Sequence, residues 1–464
     1  MKPEKKVAKG TGTATAIPSP PTASTPKVRS APLWFPLLPA FLLGSASLLP
    51  RFNSNATLKT SVLAAAAFLL AGFVVLLLTR GKRILTYEFV PRRVHWVQMC
   101  MHSSVYAYWG YYWREVYHAA PLIVAQLLFA YAFDSLLSWT HRRTFALGFG
   151  SFPIIFSITL FFWFKDPFFH WQFVMVAIAY LAKEFLRWQR DGINTHIFNP
   201  SAFPLVVIGA VLLLTDSNDM TWGFMVAQTE FYPPYIYLAI FLIALPGQFL
   251  FGVTPMTLAA VSTTFAFSAL YHAATGGFFF VDSHVPIAVF LGMNLLFTDP
   301  ATSPRTFVGR IAFGVLYGAT AVFLYEVLLA ANTPGFYDKL LQLPFLNLSV
   351  KLLDRLATWP KLQSFDPTVW LKSWAPRQRH VAYMSVWALA FAGMSASGYL
   401  GDDHPGQWTP HWEQACAADT REACLNLYFL QDGFCTDGSP WACNEAGILL
   451  AEKYANPNRA AAAF

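Results

Sequence analysis

The sequence has little charge for its length. Asp, Glu, Lys and Arg make up 12% of the 464 residues, whereas a soluble domain carries roughly 25%. Hydrophobic residues reach 55% and aromatic residues 17%, and such an aromatic content is typical of proteins with interfacial belts of Trp and Tyr. These proportions exclude an ordinary soluble protein and predict an all-α polytopic membrane protein.

Several motifs of well-known cofactor sites are missing. None of the cysteines belongs to the CxxCH motif of covalent haem or to a set that would hold an iron–sulfur cluster. The chain also lacks a glycine-rich phosphate loop and a dinucleotide-binding fingerprint. His102, His118 and His170 lie in or near apolar runs, but no pair of them has a spacing specific for haem. We predict no metal site.

Residues 1–30 lack the apolar core of a cleaved signal peptide. They are rich in Lys, Pro, Thr, Ala and Ser, and such a segment cannot bury enough apolar area to become ordered. We predict a disordered cytoplasmic tail followed by an uncleaved anchor. The formal net charge of +7 arises mostly from short loops between apolar runs, which is the pattern of cytoplasmic loops, so no nucleic-acid partner is predicted.

Long apolar runs predict the membrane spans, because a crossing helix needs about 20 apolar residues. The runs are 33–49, 61–79, 95–113, 121–139, 146–163, 168–188, 201–215, 234–251, 255–271, 286–297, 310–330 and 381–400. Basic loops alternate between them as the positive-inside rule requires, except that the basic segment 355–379 falls on the wrong side. An additional crossing over 335–356 restores the alternation. We predict roughly 11–13 transmembrane helices, a cytoplasmic N-terminus and a periplasmic C-terminus.

Two polar proline motifs interrupt this apolar pattern. The first, 195–203 (THIFNPSAF), precedes an apolar run, and the second, 297–304 (FTDPATSP), follows one. Such breaks are costly in lipid and survive where they line a cavity or a binding site. In the first motif, Asn199 or Ser201 can cap the following helix; a helix N-terminus aimed at an anionic or polar ligand beside His196 is an equal alternative.

The second motif is favoured as part of a site. Asn294 lies one helical turn before Thr298, and Asp299 and Thr302 follow in irregular chain. A polar face at the end of an apolar helix is costly unless it meets a partner. Since the predicted topology places both motifs on the cytoplasmic side, we expect them to converge on one site.

Two carboxylates lie within apolar runs. Asp134 is well inside 121–139 and Glu326 is inside 310–330. Intramembrane carboxylates are functional hypotheses by default, and pairing with a neighbouring helix is the alternative. Lys183 is close to the end of its run, where its side chain can simply snorkel.

Most of the cysteines follow the last apolar run. Cys416 and Cys424 are eight positions apart, as are Cys435 and Cys443. Eight residues are about two helical turns, so the cysteines of a pair should share one face, and two facing helices could be joined by two disulfides. A zinc site is the alternative, but the usual CxxC spacing is absent. Repeated Ala-Cys pairs also resemble Sel1-type helical repeats.

The two proline motifs, their order and the spans between them resemble the RnfD/NqrB family. Its members are membrane subunits of the Rnf electron-transport complex and of the sodium-translocating NADH:quinone oxidoreductase. The likeness covers residues 95–360 and includes Asn-Pro at 199–200, Thr-Asp-Pro at 298–300 and Gly-Arg at 309–310. It implies a subunit of the bacterial inner membrane that carries flavin, passes electrons through the bilayer and has broken helices in two pseudo-repeated bundles.

Members of this family attach FMN through a threonine in an outer loop. The corresponding loop here, 216–232, lacks that threonine motif. The segment around Thr254 resembles the flavinylation sequence, but the predicted topology places it on the cytoplasmic side, so covalent FMN at Thr254 is not expected. The pattern is similar to the UnbU-type branch of the family, which lacks the flavin threonine.

These observations together predict a membrane subunit of an electron-transfer complex that uses non-covalent flavin or quinone near the two motifs. The predicted partners are other membrane and extracytoplasmic subunits and the lipid bilayer. The alternatives are a non-catalytic scaffold that anchors a partner through the Cys-rich tail, and an ion or solute transporter that uses Asp134. The predicted segments are the tail 1–30, N-terminal helices with a basic loop 31–94, the membrane core 95–360, a basic loop with the last transmembrane helix 361–400, and the Cys-rich extracytoplasmic helices 401–464.

Overall fold

The computed structural model describes residues 29–32, 34–331, 333–418, 423–436 and 438–453. The described chain is mainly helical, which confirms the predicted helical class. Three helical segments are long and apolar enough to cross a membrane: Ala56–Thr79, Glu115–His141 and Phe307–Ala330. The shorter apolar helices are Leu37–Ala46, Ser151–Phe161, Ala202–Leu214, Ile236–Phe251 and Ile287–Leu296. Most of the predicted disordered tail, 1–30, lies outside the described residues.

The first part of the chain forms eight helices, one of which is central. They are α1 (Leu37–Ala46), α2 (Pro50–Asn53), α3 (Ala56–Thr79), α4 (Arg93–Tyr112), α5 (Glu115–His118), α6 (Ala120–His141), α7 (Ser151–Phe161) and α8 (His170–Phe185). Asn55 begins α3, because its side-chain oxygen accepts hydrogen bonds from the backbone N–H groups of Thr57 and Leu58. Helix α6 is central, since it packs against α1, α3, α7 and α8.

Five short strands were not predicted. In one sheet, β2 (Thr86–Phe89) pairs antiparallel with β1 (Arg29–Ser30) and parallel with β3 (Thr144–Leu147). In the other, β4 (Arg187–Arg190) and β5 (Ile193–His196) form an antiparallel hairpin. The predicted helical run 168–188 is therefore wrong at its end, where β4 begins.

The turn chemistry explains this hairpin. Asp191 and Gly192 have φ angles of 50° and 77°, as a two-residue turn of the Asp-Gly type requires. The strands β1 and β3 likewise take residues predicted for the N-terminal tail and for the apolar run 146–163.

The middle of the chain forms seven more helices: α9 (Ala202–Leu214), α10 (Gly223–Thr229), α11 (Ile236–Phe251), α12 (Thr254–Thr275), α13 (Ile287–Leu291), α14 (Phe307–Ala330) and α15 (Leu343–Leu356). A π-helical turn, Gly292–Leu296, continues α13. Helices α12 and α14 are in close contact, because α14 presents glycine to α12. A Cβ atom added at Gly318 would lie 2.6 Å from the backbone oxygen of Ala260. Small residues at such positions let helix backbones approach closely.

The segment 335–356, predicted as a hidden crossing, connects the two ends of the helical bundle. It consists of a 3-10 turn, Gly335–Tyr337, and α15. At one end the hydroxyl of Tyr337 donates to the side-chain oxygen of Asn218, 2.8 Å away. At the other end Asp354 forms an ion pair with Arg190, 2.7 Å away.

Asp354 also anchors the start of α14. Its carboxylate accepts hydrogen bonds from the backbone N–H groups of Arg305 and Thr306 and from the hydroxyl of Thr306. Thr306 in turn caps α14 by accepting from the backbone N–H of Gly309. This network ties α15 to α14 and to strand β4 at one end of the bundle.

The remaining helices are α16 (Pro360–Gln363), α17 (Pro367–Trp370), α18 (Pro376–Ala396), α19 (Thr409–Ala417), α20 (Ala423–Thr436) and α21 (Pro440–Glu452). Two disulfides are present, Cys416–Cys424 and Cys435–Cys443, which confirms the preference for disulfides over zinc. The expected shared helix face is wrong. Each disulfide instead joins the end of one helix to the start of the next, because the helix breaks within each eight-residue interval.

The C-terminal helices pack on the loop between α12 and α13. Phe278 of that loop forms a small apolar cluster with Trp412, Cys416, Ala423 and Leu427. The large core, in contrast, extends without a break from Ala31 to Leu400. One hydrophobic core therefore continues across positions 94 and 360.

A histidine pair lies beside this small cluster. His404 accepts a hydrogen bond from the backbone N–H of Gly406 at Nδ1, so its Nε2 carries the proton and faces Nδ1 of His284 at 3.2 Å. Both side chains are almost fully buried. Burial, with the nearby histidines, lowers the pKa of His404 to about 3 and that of His284 to about 4. The contact therefore contains neutral imidazoles at neutral pH.

Candidate functional site

Asn199 of the first proline motif contacts the helical turn that precedes the second motif. The side-chain amide of Asn199 donates to the backbone oxygen of Leu296, 2.7 Å away. Its oxygen accepts from the backbone N–H and hydroxyl of Ser201 and from the backbone N–H of Ala202. Asn199 thus caps α9 and ties the first motif to the helical turn before the second. Its side-chain oxygen and one of its two amide hydrogens are engaged within the protein, which favours the structural interpretation over direct ligand contact.

His196 and Asp299 form the second link between the motifs. Nε2 of His196 lies 3.3 Å from a carboxylate oxygen of Asp299. Asp299 also accepts from the backbone N–H of Ala301 and from the hydroxyl of Thr302. Burial alone would raise the pKa of Asp299, but the hydrogen bond and charge of His196, together with the other two donors, lower the pKa below its usual value. Asp299 is therefore a stable anion.

The other predicted residues of the second motif belong to a buried internal network. The amide of Asn294 donates to the backbone oxygen of Phe290 and its oxygen accepts from Gln248. The hydroxyl of Thr298 donates to the backbone oxygen of Asn294. Thr302 is buried and faces Asp299. These contacts explain how polar groups are tolerated at the end of an apolar helix.

Sequence reasoning missed Asn347, the residue that closes this arrangement. Its side-chain oxygen accepts from the backbone N–H of Asn199, and its amide donates to the backbone oxygen of Thr302. Asn347 lies on α15 and is 2% exposed. No motif marks it in the sequence, because its role depends on a contact between segments about 150 residues apart.

A cavity of about 300 Å³ lies beside the joined motifs. His196, Asn199, Ser201 and Asp299 line it from the motif side, and Asp134 lines it from α6. Asn294, Thr298 and Thr302 are not among the lining residues. Glu326 lies elsewhere, exposed in the last part of α14. The structure therefore brings five of the predicted site residues to one cavity.

Several charged residues of this cavity were not predicted as site residues. They come from the start of α4, the end of α6, the end of α8 and the start of β4: Arg92, His95, Arg142, Lys183, Glu184 and Arg187. Arg142 forms an ion pair with Glu184. Lys183 lines the cavity, so its interpretation as a snorkelling side chain is incomplete.

The remaining candidates lie away from this cavity. Thr254 is the first residue of α12 and is buried. His102 is buried on α4, with its ring nitrogens near the backbone oxygen of Gln98 and the hydroxyl of Ser157, at 2.7 and 2.9 Å. Among the described residues, no group of three or more His, Cys, Asp or Glu side chains has the arrangement of a metal site.

A second cavity, of about 600 Å³, lies at the opposite end of α6, α7 and α8. Trp113, Trp163 and Trp222 form much of its wall. His118 also lines it, but no residue of the proline motifs does. The charged cavity and this aromatic cavity thus occupy opposite ends of the same helices.

Comparisons with protein-family models, with curated proteins and with solved structures found no match to this chain. The resemblance to the Rnf and NADH:quinone oxidoreductase subunits therefore depends on the motifs of the sequence alone.

Proposed function

We propose that this chain is a polytopic subunit of a membrane electron-transfer complex and that its charged cavity holds a flavin or a quinone without a covalent bond. The observation that carries this proposal is the convergence of both proline motifs, and of Asp134, on one cavity. The cavity volume of about 300 Å³ is at the lower end of the range for small-molecule sites.

The placement of charge supports membrane insertion with the charged cavity on the cytoplasmic side. Tyr235 immediately precedes helix α11, and its backbone N–H donates to the side chain of Asp402, beside the C-terminal segment. The helix ends before Gly252, whose backbone oxygen accepts from Arg310. The disulfide-bearing segment and the basic residues are therefore at opposite ends of α11. Disulfides belong to an oxidising compartment and basic loops to the cytoplasm.

The residues around the cavity fit such a cofactor. A bound flavin or quinone would accept and release electrons together with protons. Ser151, Ser157 and Gln98 supply hydrogen-bonding groups along the wall, and Tyr131 supplies an aromatic ring. His196, held by Asp299, is a group that can carry a proton at the cavity surface. None of these groups requires a covalent link to the cofactor.

The test is a visible absorbance spectrum of the full chain purified in detergent, followed by acid extraction and identification of any released flavin or quinone. We expect a flavin or quinone to copurify, and its amount to fall in His196→Ala. Replacement of exposed His170 by Ala is the matched control, because His170 does not line the charged cavity. If the wild-type protein contains neither cofactor and binds neither when it is added, the redox proposal is wrong.

Asp134 favours transport as the second candidate function, because an acidic side chain within α6 faces the cavity. Purified protein reconstituted in vesicles distinguishes the two. Ion or solute uptake that is lost in Asp134→Asn, in protein without bound cofactor, would support transport.

A further inference from the structure

The charged cavity contains more cations than its carboxylates neutralise. Arg92, Arg142, Lys183 and Arg187 line it, against Asp134, Glu184 and Asp299. Two of the three carboxylates are already engaged: Glu184 pairs with Arg142, and Asp299 pairs with His196. In the described part of the chain, Arg92, Lys183 and Arg187 form no ion pair within 4.0 Å. Three of the lining cations therefore have no ion-pair partner among the described residues, and among the lining carboxylates Asp134 has none either.

Arg187 shows this lack of partners most directly. One terminal nitrogen of its guanidinium donates to the backbone oxygen of Asn194, 2.9 Å away. Its Nε is buried and has no hydrogen-bond partner among the described residues. A buried, unpaired donor on a charged group is costly, so the guanidinium of Arg187 has neither an ion-pair partner nor a full set of hydrogen bonds among the described residues. Lys183 lies over the ring of Tyr180, with its Nζ 5.0 Å from the ring centre.

We propose that the ligand of this cavity carries a phosphate group and that Lys183 and Arg187, with Arg92 at the exposed edge, bind it. This inference rests on the proposed function and selects among its cofactors. Phosphate offers several acceptor oxygens to guanidinium and ammonium donors and forms charge-assisted hydrogen bonds with them. A neutral quinone or an unphosphorylated flavin would bring no negative charge of its own to these three cations.

The positive-inside rule is the competing explanation for these cations, because it enriches Lys and Arg at the cytoplasmic end of any membrane protein. Arg143 provides the comparison within this chain. It is adjacent to Arg142 at the end of α6 and exposed, but it does not line the cavity. A purely topological role predicts that Arg143 and Lys183 are equivalent for ligand binding, whereas phosphate recognition predicts that only Lys183 matters.

The experiment compares two flavins that differ only in the phosphate. The full chain in uncharged detergent is titrated with flavin mononucleotide and with riboflavin, and binding is followed by quenching of flavin fluorescence. We expect flavin mononucleotide to bind at least about tenfold more tightly, since one charge-assisted hydrogen bond contributes about 1.5–3 kcal/mol. Lys183→Ala should remove most of this preference, Lys183→Arg should retain it, and Arg143→Ala should leave it unchanged.

The possible failures are distinguishable. Equal affinity for the two flavins in wild type would overturn the phosphate inference and leave the proposed flavin site intact. Absence of binding by either flavin would overturn the flavin site itself. Phosphatidylglycerol, added in mixed micelles, tests a lipid as the source of phosphate. If it displaces flavin mononucleotide and phosphatidylcholine does not, the anionic lipid is the occupant and the flavin assignment fails.

Discussion

Asn199→Ala is predicted to destabilise the protein because Asn199 fastens the two proline motifs together. The side chain is 4% exposed and takes part in four hydrogen bonds, at 2.7 Å to the oxygen of Leu296 and at 2.7–3.2 Å from Ser201 and Ala202. Loss of a helix N-cap costs about 1 kcal/mol. A buried backbone oxygen left without its donor costs about 1–3 kcal/mol more. The sum is about 2–4 kcal/mol.

The assay is unfolding of the full chain in mixed micelles with increasing SDS, followed by circular dichroism. Asn199→Ser separates the two contributions: its hydroxyl can cap α9 without a buried charge, but it is too short to donate to Leu296, so it should lose less stability than the alanine variant. Asn194→Ala is the control, because Asn194 is exposed in strand β5. It should unfold like wild type.

One result would refute the reasoning. If Asn199→Ala unfolds at the wild-type SDS concentration yet loses bound cofactor, Asn199 contacts the ligand and the structural interpretation is wrong. If stability and cofactor content fall together in the alanine variant and both recover partly in the serine variant, the side chain acts by positioning the cavity wall.

Three further predictions concern the packing of the bundle. Asp354→Ala should lower stability by about 3 kcal/mol in the same assay, because it leaves the buried cation of Arg190 unpaired; unchanged stability would contradict this. Gly318→Val should cost about 1–3 kcal/mol through overpacking against α12, whereas Gly393→Ala, where an added Cβ meets no atom within 4 Å, should cost nothing. Because histidine in an unfolded chain titrates near pH 6.5, the contact of His284 and His404 should be fully stable above that pH and weaken as the pH falls toward 4. Hydrogen exchange of α19 amides should then be faster at about pH 5 than at about pH 7.5 after correction for intrinsic rates. Equal corrected rates at the two pH values would show that the contact does not depend on neutral imidazoles.

Apolar runs predicted where the helices are but not how far each extends. Composition alone indicated a helical chain, because runs of apolar residues such as 61–79 have few ways to satisfy their backbone groups. The errors arose at strand β4 and at the π-helical turn Gly292–Leu296. At β4 an Asp-Gly turn signal was present and outweighed the apolar run that precedes it. The π-helical turn has no local signature, since it depends on how α13 packs.

The cysteines show a second kind of error. Spacing by eight positions suggested one helix face, and that inference assumed an unbroken helix. In the second pair, Gly438 with its φ of 97° and the helix start at Pro440 interrupt the helix between Cys435 and Cys443. Glycine and proline are strong helix-ending signals, so the local chemistry was the better guide than the periodicity.

The candidate site divides into a part that sequence could predict and a part that it could not. The proline motifs were recognisable because polar residues and prolines that interrupt an apolar run are unfavourable in a membrane. Such an interruption can be read directly from the local sequence. The charges of Lys183 and Arg187 were equally visible, but their meaning depends on α4, α6 and α8 meeting around a cavity. The two sets also have different roles. Asn199 has its side-chain oxygen and one amide hydrogen bonded internally, whereas Arg187 has a buried donor with no partner among the described residues, so the clearest unmet hydrogen-bonding group lies on a residue that no motif marked.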